Sequence, residues 1–121
     1  MSGKRILLVD DESSVAEVVQ MILEQDGHEI EVVDNPLEAL ATFRPEKYDL
    51  VLTDSCMPEM TGLELAEKIK RMSPEQPVIL LTGFLPSGPM PGVDMVMFKP
   101  FSSSALRRAV ADLTVHLNVV P

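Results

Sequence analysis

The residues of this chain that could do chemistry recur at one kind of place, the carboxyl end of an apolar run. ILLV (6–9) leads into Asp10, Asp11 and Glu12, LVLT (50–53) into Asp54, VILLT (78–82) closes on Thr82, and MVMF (95–98) is followed by Lys99. Carboxylates brought together repel and resist desolvation unless a cation joins them, and hard oxygen donors with room for water suit Mg²⁺. A lysine and a hydroxyl opposite them suit a phosphoryl group. The dication and Lys99 would neutralise the charge developing in transfer, and Thr82 would donate a hydrogen bond to a phosphoryl oxygen. Asp54 is the expected nucleophile, because it ends an apolar strand and points from a rigid element into the mouth.

These groups meet only if the runs are neighbouring parallel strands, since ligands of an open parallel sheet bind beyond the carboxyl ends of its strands. The runs, with EIEVV (29–33) as a fifth, include several that are apolar on both faces, as buried parallel strands are. Between them lie helical patterns. Val15, Val18, Val19, Ile22 and Leu23 form one stripe, with Gly27 as its stop. Asn35 and Pro36 read as N-cap and first position of a short helix through Leu37, Leu40 and Phe43 that ends before Pro45. Gly62 opens a third helix with Leu65, Ala66, Ile69 and Met72 on one side, and Ser102 to Ser104 cap a last one carrying Leu106, Ala109, Val110, Leu113 and Leu117. Alternating strands and helices imply right-handed crossovers and a sheet covered on both faces.

The segments LLVDDE, LVLTDSCMPEMTGLEL, VILLTG and FKPF, in that order across essentially the whole chain, resemble the response-regulator receiver domain of two-component signalling. The resemblance implies a single domain over residues 1–121 with a flavodoxin-like, doubly wound α/β fold and five parallel strands in the order 2-1-3-4-5. It matches Asp54 to the phospho-accepting aspartate, Asp10 and Asp11 to the acidic pair that holds Mg²⁺, Thr82 to the switch hydroxyl and Lys99, before Pro100, to the site lysine. It adds the backbone carbonyl of Cys56 as a metal ligand, and Pro58 and Gly62 as parts of the loop after Asp54. The implied donor is a phosphohistidine on a sensor histidine kinase or a histidine phosphotransfer protein, and the implied recipient of the signal is an output domain or protein. Such a domain catalyses only its own phosphorylation and dephosphorylation, so no separate enzyme activity is expected. The competing reading is a docking domain that keeps the acidic pocket without switching.

Composition narrows the classes. With 19 acidic against 10 basic residues the net charge is −9, which opposes direct contact with nucleic acid. No apolar run reaches the ~18 to 20 residues that span a bilayer. The single cysteine and the absence of a cationic leader before an apolar core point to a reducing, cytoplasmic setting. A cysteine phosphatase would need Arg where Gly62 stands, and an aspartate-based phosphohydrolase would need a second Asp where Cys56 stands. Cys56 is expected as a packed or rim thiol, Met57, Met60, Met90, Met95 and Met97 as core filling, and neither His28 nor His116 as a relay or metal group.

Two departures from the family bear on the switch. The position three before Lys99, usually aromatic, is Val96, while Phe98 shares its face; and two after Thr82 stands Phe84, whose bulk would sit over the mouth. The segment between Thr82 and Lys99 also carries Pro86, Pro89 and Pro91. Each proline costs about 3 kcal/mol in a helix interior, so the fourth crossover helix is expected to be shortened or absent. Phe84, Leu85, Met90 and Val93 would then lie on or near an exposed apolar patch.

Overall fold

A computed structural model describes residues 3–84 and 88–115 of the chain. Strands β1 (Arg5–Val9), β2 (Glu29–Val33), β3 (Leu50–Asp54), β4 (Val78–Thr82) and β5 (Met95–Phe98) form one parallel sheet in the order β2-β1-β3-β4-β5. Helices α1 (Ser13–Gln25), α2 (Pro36–Thr42), α3 (Gly62–Met72) and α4 (Ser103–Val115) cover it. No helix among the described residues is long and apolar enough to cross a membrane.

The pleat sorts the apolar runs onto two faces. Ile6, Leu8, Leu50, Leu52, Ile79 and Leu81 pack with Ala16, Val19 and Leu23 of α1 and Leu106, Ala109 and Val110 of α4. Leu7, Val9, Val51 and Val78 pack on the opposite face with Ala39 of α2, Phe43, and Leu65, Ala66 and Ile69 of α3. A strand that feeds both cores has no solvent face, which is why β1, β3 and β4 are apolar nearly throughout. Of the methionines, Met57 and Met97 are buried and Met60 and Met95 pack against the cores.

The helix ends follow local chemistry. Gly27 and His28 close α1 by donating their N–H groups to the carbonyls of Glu24 and Leu23. Asn35 Oδ1 accepts from Glu38 N at 2.8 Å, with Pro36 at the first turn. Thr61 and Glu64 form a reciprocal capping box at α3, and Ser102 Oγ accepts from Ala105 N at 3.1 Å before α4. Three stripe residues do not face the core. Val18 is 50%, Leu37 52% and Met72 42% exposed, because the buried arc of each helix is narrower than its apolar stripe. Leu117 and His116 lie outside the described residues.

The crossover from β4 to β5 has no helix among its described residues, 83–84 and 88–94. Its far end is fastened to α3. Gly92, at φ 87°, lies so near that a Cβ there would meet the Ala66 carbonyl at 3.0 Å. Asp94 Oδ2 accepts from Lys70 Nζ at 2.7 Å and from Val78 N at 2.8 Å. The expected apolar patch is therefore smaller than the sequence suggested. Phe84 is 73% exposed, but Val93 packs against the α2–α3 core and Met90 is half-buried. Leu85 lies outside the described residues.

Candidate functional site

Asp10, Asp54, Thr82 and Lys99 come together at the carboxyl edge of the sheet because β1, β3, β4 and β5 are consecutive neighbours there. Asp10 is 1% and Asp54 6% exposed. Lys99 Nζ donates to Asp54 Oδ1 at 2.9 Å, and the Ser55 N–H donates to the same oxygen at 2.9 Å. Asp54 Oδ2 has no hydrogen bond among the described residues. Lys99 is held in place by its own backbone, whose N–H donates to the Thr82 carbonyl at 2.8 Å.

Asp10 Oδ1 accepts from Glu12 N at 2.9 Å, whereas Asp10 Oδ2 is buried with no partner among the described residues. Burial, with the nearby Asp54 charge added, pushes the Asp10 carboxyl above the usual carboxylate range against the opposing pull of the Glu12 N–H and Lys99. For Lys99, burial disfavours the ammonium, but the hydrogen bond and attraction to Asp54, with Asp10 and Glu12 behind them, outweigh it and hold its pKa above the ordinary value. The lysine stays charged.

One carboxylate oxygen from each of Asp10, Glu12 and Asp54 lies within 4.8 Å of the other two. An orphaned buried carboxylate oxygen, hard donors and one lysine shared among several acids fit a small divalent cation such as Mg²⁺. Asp11 is exposed and lines the mouth with Glu12, Cys56, Gly83, Phe84 and Lys99. Cys56 is an exposed rim thiol.

Glu12 stands in the acidic run that the sequence places at the strand edge, but it is the site residue to which the family resemblance gave no individual role. It is the N-cap of α1, but its side chain makes no capping bond and reaches Lys99 Nζ at 3.8 Å. The acidic run after β1 is therefore not spent on the helix end. Its position two residues after Asp10, where the chain turns into α1, was the available signal.

The Thr82 hydroxyl is buried and closes a small turn of its own. It accepts from Phe84 N at 3.2 Å and lies 3.3 Å from the Phe84 carbonyl, to which it donates. Behind it, Val96 is half-buried, and Phe98, the register partner of Thr82, is 46% exposed. Beside Lys99, a groove runs between α1 and the residues after β5, lined by Val15, Val18, Pro100 and Phe101. His28 stands at the opposite end of the sheet, where its Nδ1 accepts from Lys4 N at 2.9 Å.

Comparison with known proteins decides the family. The model of the Response regulator receiver domain family matches residues 6–111. This chain belongs to the response regulator receiver domain family. The receiver is 34% identical over 103 residues to the response regulator receiver protein CpdR of Brucella abortus, covering 81% of this chain and 86% of that relative. Among solved structures, it superposes on a CheY-like receiver domain protein from Methanospirillum hungatei with a TM-score of 0.86, 30% identity and coverage of 97% and 98% of the two chains. It superposes on the response regulator TrrA of Thermotoga maritima, solved in complex with Mg(2+)-BeF, with a TM-score of 0.84 and 36% identity over 91% of this chain and 98% of that one. The flavodoxin-like receiver fold is thus common to this chain and its relatives, and here it carries an acidic pocket at the carboxyl edge of the sheet.

Proposed function

We propose that this receiver takes a phosphoryl group onto Asp54 from a phosphohistidine on a sensor histidine kinase or histidine phosphotransfer protein, and signals that state to a partner or attached output module. The observation that carries the reading is the Asp54 carboxylate, which is nearly buried and, among the described residues, takes both of its hydrogen bonds on Oδ1. The other oxygen keeps its lone pairs for phosphorus. Asp10, Asp11 and Asp54, with the backbone carbonyl of Cys56, would hold Mg²⁺, which supplies positive charge to the transferring oxygens. Lys99 shifts its ammonium from Asp54 Oδ1 to a phosphoryl oxygen. The Thr82 hydroxyl turns from the Phe84 backbone to another, which releases the start of the β4–β5 crossover. The chemistry stays on this chain's own aspartate, so the domain is a signalling module and not an enzyme acting on a separate substrate.

Incubation with phosphoramidate and Mg²⁺ should add the mass of one phosphoryl group to the intact chain. Mg²⁺ with beryllium fluoride should move the backbone amide resonances of residues 82–84 to a second set of positions. Metal binding without that movement would favour the non-switching docking domain, and no mass gain would remove the phospho-acceptor reading.

The groove beside Lys99 is the surface on which a histidine-bearing helix would lie, because it places an apolar seat next to the site. Val18, half-exposed at its edge, serves as the anchor. Val18→Asp should slow transfer from a phosphorylated histidine phosphotransfer protein by about tenfold or more, while the reaction with small phosphodonors is unchanged. Equal slowing with both kinds of donor would place the docking surface elsewhere.

Phe84 lines the mouth with its ring exposed. Hydrolysis needs water in line with the bond to Asp54, and the ring obstructs that approach. Phe84→Ala is expected to shorten the lifetime of the phosphorylated receiver several-fold, measured as the decay of phosphoprotein after donor removal. An unchanged or longer lifetime would mean that the ring does not screen the phosphoryl group.

A further inference from the structure

Glu12 belongs to the acid cluster that fits a divalent cation but has no role of its own in the transfer described above, and the fold aims it at the site. Its carboxylate lies 3.8 Å from Lys99 Nζ and within 4.8 Å of the Asp10 and Asp54 carboxylates, and the cluster's floor is the unpartnered, buried Asp10 Oδ2. Its side chain is 61% exposed where that of Asp54 is 8% exposed. Glu12 is therefore an outer charge of the site, on the wall of the mouth that also holds Phe84 and Cys56.

Attacking and leaving atoms stand in line across a transferring phosphorus. A group leaving as Asp54 attacks departs away from the buried carboxylate, toward this mouth. We propose that Glu12 is a specificity-determining residue that favours donors carrying the phosphoryl group on nitrogen over acyl phosphates. The inference rests on Asp54 as the acceptor. In the transfer a lone pair of Asp54 Oδ2 forms the new O–P bond while the donor's bond to phosphorus breaks, its electron pair going to the leaving atom. Phosphoramidate nitrogen enters as an ammonium and leaves as neutral ammonia, which then takes a proton from water. Acetyl phosphate enters with a neutral acetyl oxygen that leaves as the acetate anion.

At every stage the nitrogen leaving group is one unit charge more positive than the acyl one. Glu12 senses that difference. A phosphohistidine in its imidazolium form belongs to the same nitrogen class, since its ring leaves as neutral imidazole. One unit charge acting over about 6 Å through a partly aqueous mouth corresponds to roughly a three- to tenfold effect on rate.

The test is the ratio of second-order rate constants for phosphorylation by phosphoramidate and by acetyl phosphate, at saturating Mg²⁺, for the full chain and its Glu12→Gln variant. Any loss of fold or of cation affinity enters both rates and cancels in the ratio. The ratio is expected to fall about three- to tenfold in the variant. An unchanged ratio in Glu12→Gln, with phosphorylation intact, would overturn the role of Glu12 and leave Asp54 as acceptor. No adduct from either donor on the wild-type chain would overturn both.

Discussion

Replacing Asp54 with asparagine is expected to reduce covalent phosphorylation at least about a thousandfold, the scale on which loss of a reacting nucleophile is felt. The amide has the shape of the carboxylate but neither its charge nor its nucleophilic lone pairs, and it offers Lys99 a neutral acceptor at the position where the ammonium now sits 2.9 Å away. The fold should survive. Asp54 lies beside a second buried carboxylate, and its charge helps to push Asp10 above the usual carboxylate range. Removing that repulsion offsets the loss of the Lys99 contact, so thermal unfolding should change by no more than about 1 kcal/mol. Intact-mass analysis after incubation with phosphoramidate and Mg²⁺ reads the first expectation, and circular dichroism melts read the second. A variant that still gains a phosphoryl group would place the acceptor elsewhere.

Gly62→Ala should damage stability and site together. The first residue of α3 lies directly against the strand that carries the acceptor, and a Cβ there would meet the Asp54 carbonyl oxygen far inside van der Waals contact. That oxygen belongs to the backbone of a buried strand and has nowhere to go. The clash would be relieved by moving the start of α3 outward, which pulls on the hydrogen bond from Gly62 N to the Ser55 carbonyl at 2.9 Å and on the loop of Cys56 and Pro58 between them. Overpacking of this kind costs about 1 to 3 kcal/mol. The expected result is a lower midpoint of chemical unfolding together with slower phosphorylation by small donors, because Ser55 N also fixes Asp54 Oδ1. Unchanged stability and rate would show that α3 is free to shift without disturbing the acceptor.

Much of this arrangement is legible in the order of the residues. Strands apolar on both faces announce a sheet covered on both sides, and β1, β3 and β4 are buried along nearly their whole length. Asn35 with Pro36 sets the start of α2, and the prolines after Thr82 disfavour a helix in the fourth crossover. The polar residues that end four of the strands are legible as a site because parallel strands bring their carboxyl ends to one edge.

What the chain hides is the direction of individual side chains. Val18 and Met72 fit a helical stripe as well as their buried neighbours do, yet the sheet covers only part of each stripe. Val93 reads as loop and is packed, because Asp94 next to it is tied to α3 by Lys70 and to β4 by the Val78 N–H. That pairing joins residues distant in the chain, and no local pattern encodes it. Glu12 reads only as the last of three acids after β1, and the position of Lys99 across the mouth gives it a partner in the site.

The central claim, that Asp54 receives the phosphoryl group, is tested most directly by reductive trapping. Borohydride reduces an acyl phosphate to the alcohol, so a phosphorylated aspartate becomes homoserine at its own position in the chain. After reaction with phosphoramidate and Mg²⁺, reduction and peptide mass spectrometry should find homoserine at position 54. Reduction at Asp10, Asp11 or Glu12 instead, or a phosphoryl group that survives borohydride on a histidine or serine, would contradict it.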